Sequence, residues 1–145
     1  MVLSAHLIRA MESFMEGEKQ VKPPTVGLIE IGIDCRDPEA LAPFWVVATG
    51  YELGDFDPAE NYLDLRPPSK EFPLIYFQRV PEDKIVKNRL HLDLYVDDVD
   101  TSADLLVTRG GTRLGDLQTG SAGGTWQVMA DPEGNEFCLC LLHET

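Results

Sequence analysis

A chain of 145 residues, 43% hydrophobic and 26% charged, has the material for one domain with a buried core. Its net charge of -13, from 12 basic against 25 acidic residues, argues against nucleic acid and anionic membranes as partners. Both of those partners need clustered Lys and Arg. An acidic surface of this kind attracts cationic ligands, and it also serves simply for solubility.

Taken in chain order, Leu3, Leu7, Ile8, Met11, Phe14 and Met15 share one side of a helical wheel, which predicts an amphipathic helix over 3–16. Gly17 ends it, and a charged stretch leads to Pro23-Pro24. Such a helix can dock on the domain, cover a dimer surface or fray. Arg9 and Glu12 interrupt its apolar positions and no small-residue cleavage pattern follows, so it does not read as a secretory segment. No run has transmembrane length. Three cysteines, an odd number without such a segment, point to a reducing compartment, the cytoplasm.

Residues 28–35 alternate and predict a strand. Asp37-Pro38 opens a helix as cap and first helical residue, with Leu41, Phe44, Trp45 and Ala48 inward and Gly50 as its stop. Strands follow at about 51–55, 61–66 and 73–79, separated by the turn signals Asp57-Pro58 and Pro67-Pro68. Residues 80–88 are a polar connector. The order then repeats, with a strand at 89–96 and a helix at about 98–109 whose inward residues are Val99, Leu105 and Leu106. Gly110-Gly111 stops that helix, and strands follow at about 112–116, 124–130 and 135–142. Residues 131–135 form the last turn, where Gly134 suits a positive φ.

The chain thus reads as βαβββ twice, an α+β fold. A helix and linker occupy 1–26, and a domain fills 27–145 with modules at about 27–80 and 89–142. Glu30 lies seven residues before Asp37 and His91 seven before Asp98, so a carboxylate and an imidazole hold equivalent places. The two-residue period of strands puts Ile29, Ile31, Ile33 and Cys35 on the first helix, with Glu30, Gly32 and Asp34 opposite. In the second copy Leu90, Leu92, Leu94 and Val96 face the helix, and Arg89, His91, Asp93 and Tyr95 face away. Phe137, Leu139 and Leu141 are helix-side in the last strand, leaving Glu136, Cys138 and Cys140 opposed. A face carrying this many polar groups must meet water, a ligand or its own partners. Arg89 and Asp93 are expected to pair as ions, and Phe44 and Trp45 to be core. Cys138 and Cys140 share a face and do not bridge.

The runs at 33–45 (IDCRDPEALAPFW), 87–94 (KNRLHLDL) and 131–138 (DPEGNEFC) resemble the glyoxalase-like domains of the vicinal oxygen chelate superfamily. That superfamily also holds glyoxalase I, bleomycin and fosfomycin resistance proteins and extradiol dioxygenases. The resemblance covers roughly 27–142. It implies two βαβββ modules curled around a cleft, usually as a homodimer, and leaves the reaction undetermined. In metal-dependent members it implies ligands equivalent to Glu30, His91, a residue around Tyr76 to Gln78, and Cys138. Cys138 stands where a glutamate is usual.

Two readings therefore remain open. In one, Glu30 and His91 act as base and as anchors for substrate or for Fe, Mn, Ni or Zn, in lyase, isomerase or dioxygenase-type chemistry. In the other, a metal-free cleft binds a cationic drug or metabolite without chemistry. Tyr76, Gln78, Tyr95, Asp34, Glu136 and Cys138 are the expected small-molecule contacts in either case.

Overall fold

The computed structural model of the protein describes residues 4–15 and 24–143. Helix α1 spans Ala5–Met15, with Leu7 and Ile8 exposed. Leu3, residues 16–23 with the Gly17 stop, and the side chains of Met11, Phe14 and Met15 lie outside the described residues. No described helix is long and apolar enough to cross a membrane.

The first module runs β1 (Ile31–Cys35), α2 (Pro38–Thr49), β2 (Glu52–Asp57), β3 (Tyr62–Arg66) and β4 (Ile75–Arg79). The second runs β5 (Asp93–Val96), α3 (Val99–Val107), β6 (Thr112–Arg113), β7 (Gln118–Thr119), β8 (Thr125–Ala130) and β9 (Glu136–Leu141). The sheets have orders β1-β4-β3-β2 and β5-β9-β8-β6, and in each the first strand pairs in parallel with the last. The duplication read from the sequence is real. The strand expected at about 112–116 is shortened to β6, and β7 is an additional strand beyond it; both pair with β8.

Local chemistry explains the helix ends. Asp37 accepts from the Ala40 amide at 3.2 Å, Pro38 supplies a preset φ, and Gly50 at φ 71 closes α2. Asp98 does the same for α3, accepting from Thr101 at 2.8 Å. The α3 stripe is Val99, Ala103 and Leu106, whereas Leu105 is exposed and the expectation for it was wrong. At 100° per residue Leu105 falls roughly 120° away from Val99, while Ala103 and Leu106 fall within about 40° of it.

The first strands begin later than the alternation predicts. Ile31 donates to the Leu74 carbonyl, and residues 67–74 ahead of β4 form a loop, so 28–30 have no strand beside them to pair with. Upstream of β5, the Asp131–Asn135 turn with Gly134 at φ 90 leaves 89–90 no extended partner. Ile29 and Leu90, expected against the helices, are therefore 68% and 89% exposed.

One core joins both modules. Helix α2 packs on β2, β3 and β4, and α3 on β6, β8 and β9. Between them the Trp45 ring sits 5.0 Å from Phe137, with Phe44 5.9 Å from Phe137. As expected, Leu41, Phe44 and Trp45 are buried. The Glu133 carboxylate from the second module accepts from the Arg36 and Asp37 amides at 2.6 and 3.1 Å, pinning the β1–α2 junction. The connector is held by Lys87 and Lys84, which lie 2.6 and 3.8 Å from Glu136.

Candidate functional site

Among the described residues β1 pairs only with β4 and β5 only with β9, so the first strand of each module is an open sheet edge. Ile31 and Cys35 spend their backbone bonds on the β4 side, which turns the N–H and C=O of Gly32 and Asp34 to the open edge. Leu92 and Val96 bond toward β9, which turns Asp93 and Tyr95 outward in the same way. A crevice of about 620 Å³ runs between consecutive residues 29–34 and the segment 88–92. Its apolar walls are Ile31, Ile33, Leu92 and Trp45, and its polar groups include Glu30, Asp34, Asn88, His91 and Glu136.

Glu30 and His91 thus border one hollow, from opposite modules. Glu30 is exposed just before β1, and its charge reaches Tyr62. The Tyr62 phenol is held above its ordinary pKa by burial first, then by Asp64 and Glu30. His91 Nε2 lies 3.2 Å from Asp93 Oδ1. The imidazole therefore takes the partner expected of Arg89, and the anticipated Arg89–Asp93 pair is replaced.

Of the remaining expected contacts Asp34 and Glu136 line the crevice, whereas Tyr76, Gln78, Tyr95 and Cys138 lie outside its lining. In the first module Gly32 lies beside Tyr76, and a Cβ there would come within 2.6 Å of the Tyr76 ring. Tyr76 also stacks on Tyr62 at 5.2 Å, and Gln78 donates to the Glu60 and Asn61 carbonyls. These two side chains are engaged with protein. Tyr95 is 63% exposed, and Glu136 is tied by Lys87, which holds its carboxyl below the usual range.

The second module's outer face is built in rows by the register. Asp93, Cys138 and Val128 lie side by side, and Tyr95, Cys140 and Trp126 form the next row. Trp126, left unassigned by sequence, packs its ring against Gly120. Burial first, then Asp93, pushes the Cys138 thiol up to about 11, so it stays protonated at neutral pH and is no ready nucleophile. The core thiol Cys35 is pushed up to about 12, again by burial first, and all three cysteines are free.

Sequence reasoning missed two groups and set the Arg89–Asp93 ion pair beside a His91–Asp93 contact, although the two-residue spacing from His91 already placed Asp93 on its face. Asn88 lines the crevice with a buried Oδ1 that has no partner among the described residues. Trp45 is both core and crevice wall, which helix periodicity alone cannot show.

A divalent ion shared by both modules would need Glu30 in the donor set. Among the described residues the acid, thiol and imidazole groups that converge are His91, Asp93 and Cys138, all from the second module. With Tyr76 and Gln78 engaged elsewhere, the side chains do not fit an oxygen-rich site bridging the modules.

Residues 30–140 match the family model described as a glyoxalase-like domain. Among solved structures, a glyoxalase/bleomycin resistance protein/dioxygenase family enzyme from Burkholderia phytofirmans PsJN is 19% identical. It aligns over 79% of this chain and 97% of its own, with a TM-score of 0.64. A superfamily member from Sphaerobacter thermophilus DSM 20745 is 20% identical over 81% of this chain and 98% of its own, with a TM-score of 0.63. A glyoxalase-related enzyme from Fulvimarina pelagi is 20% identical over 81% and 88%, with a TM-score of 0.60. At such identities the likeness concerns the fold. No curated protein matches the sequence.

Proposed function

Because the chain belongs to the glyoxalase-like domain family, we propose that it binds a small organic cation with an apolar body in the crevice between its modules. The carrying observation is the crevice itself, in which Ile31, Ile33, Leu92 and Trp45 form apolar walls beside the Glu30 and Asp34 carboxylates. Apolar walls with a few placed polar groups are the usual construction of a ligand site. The net charge of -13 raises the local concentration of cations. Three free cysteines favour a reducing, cytoplasmic setting.

Calorimetry and thermal-shift measurements against organic cations and their neutral isosteres, in the presence of EDTA, test this reading. Glu30→Gln and Asp34→Asn should each weaken cation binding by about tenfold, the effect of one nearby charge near a protein surface. Equal binding of the neutral isosteres, or indifference to both substitutions, would overturn it.

A catalytic reading is favoured by one observation, the 3.2 Å approach of Asp93 to His91. A carboxylate in that place orients an imidazole for proton abstraction. Under this reading His91→Ala lowers turnover by roughly 10²–10⁴-fold while ligand binding changes little. A simple binding protein shows no turnover to lose.

A homodimer is the assembly the exposed surface supports, since Ile29 and Leu90 at the crevice are 68% and 89% exposed. Leu90→Asp should shift the mass measured by light scattering from dimer to monomer. An unchanged mass would remove this face as the interface.

A further inference from the structure

We propose that the open edge of β1 takes an extended basic peptide by strand addition, with the crevice between the modules receiving its side chains. This deepens the reading of that crevice as a site for cations, and rests on it. All six residues from Ile29 to Asp34 line the crevice. Ile31 and Ile33 lie toward the helix side and Gly32 and Asp34 on the other, so a hollow touching every one of them runs along the strand edge. Among the described residues that edge has no strand beside it, and the N–H and C=O groups of Gly32 and Asp34 point to it. An added strand satisfies such groups, the main chain supplying affinity and the alternating side chains selectivity.

Strand β1 holds no lysine, proline or bulge, the devices that keep other strands off an edge. Gly32 leaves room for a second backbone to come close. The charges at this edge are the Glu30 and Asp34 carboxylates, four residues apart on one face, or roughly 13 Å along an extended chain. They repel an acidic strand and attract a basic one, as does the net charge of -13. Side chains directly opposite in a ladder share a face, so the ends of the partner carry Lys or Arg beside Glu30 and Asp34. Two apolar residues between them fall beside Ile31 and Ile33, toward Leu92 and Trp45 in the crevice wall. The pattern is basic-apolar-x-apolar-basic, five residues or about 17 Å of extended chain.

The test titrates acetyl-Lys-Val-Thr-Val-Lys-amide into the isotope-labelled full-length protein. Binding should saturate, and hydrogen exchange at the Gly32 and Asp34 amides should slow as peptide is added. Ile33, already turned to β4, should keep its rate. N-methylation of alternate peptide residues leaves charge and side chains intact. In one of the two alternate sets it should weaken binding by at least about tenfold, through lost ladder bonds, and in the other it should change little. Replacing both lysines of the peptide by glutamate should weaken binding by at least about tenfold. Indifference to both methylated sets, unchanged exchange at Gly32 and Asp34, or equal binding of the glutamate peptide would each overturn the proposal. So would slow exchange of these amides in the protein alone that is lost on dilution, which assigns the edge to a second copy. Failure of the peptide beside saturable binding of small organic cations removes strand addition and keeps the crevice as a cation site. Failure of both probes removes the two readings together.

Discussion

Replacing Trp45 with alanine should destabilise the protein by about 3–5 kcal/mol, the range for truncating a buried aromatic side chain. The indole is 1% exposed and lies against both Phe44 and Phe137, so the cavity opens at the junction of the two modules. Its Nε1 donates to Asp131 Oδ2 at 3.0 Å, and truncation removes that bond from a buried carboxylate. Domains of this size hold on the order of 5–15 kcal/mol in total, so the variant should sit near its unfolding midpoint at modest urea. Trp45→Phe keeps most of the volume and loses the hydrogen bond, and should cost about 1–3 kcal/mol. Urea denaturation followed by circular dichroism measures both. A loss below about 1 kcal/mol for the alanine variant would show that the modules do not share a core through this ring.

Removing the carboxylate at the other end of that bond should be nearly as damaging. Asp131 is 3% exposed and accepts from the Glu133 and Asn135 amides at 2.9 Å, from Asn135 Nδ2 at 2.9 Å and from Trp45. Asp131→Ala strands these donors at about 1–3 kcal/mol apiece where water cannot replace the carboxylate, less the relief of no longer burying a charge. A net loss of about 3 kcal/mol is expected. The turn it organises also carries Glu133 to the Arg36 and Asp37 amides, so the damage spreads to the first module.

The pH dependence of Asp131 follows from the direction of its shift. Burial raises the carboxyl above its ordinary value, and the donors from Asn135 and Trp45 oppose that. With the folded value above the unfolded one, the stability this group contributes is fully present below the unfolded carboxyl pKa. It is lost as pH rises through the raised folded value. Asp131→Asn cannot titrate, and its amide turns a donor toward Trp45 or Asn135. The wild-type advantage over Asp131→Asn should therefore widen on acidification from neutral pH into the carboxyl range. A gap that narrows over the same window would contradict the buried-carboxylate account. A double-mutant cycle of Trp45→Phe with Asp131→Asn should show a coupling of about 0.5–3 kcal/mol, as contacting residues do.

The repeat was legible because strand alternation and capping chemistry are local. Asp37-Pro38 and Asp98 open their helices where the residues predict, and Gly134 adopts the positive φ its turn requires. The inward faces Ile31/Ile33/Cys35 and Phe137/Leu139 were readable for the same reason. The alternation of 28–30 and 89–90 misled, because a strand exists only where a neighbour supplies ladder bonds. The loop at 67–74 and the Asp131–Asn135 turn supply none there.

By itself the amino-acid order determined the duplicated βαβββ pattern, the helix boundaries and the placement of Glu30 and His91 at equivalent points. Those features rest on period, caps and turns, whose energetics act over a few residues. Only the tertiary structure decided that both residues border one crevice with Trp45 in its wall. It also decided that His91 sits by Asp93 and Cys138, and that Tyr76 lies over Gly32. Those outcomes depend on sheet register and on how the modules pack. They are set by contacts between residues far apart in the chain, which local patterns do not encode.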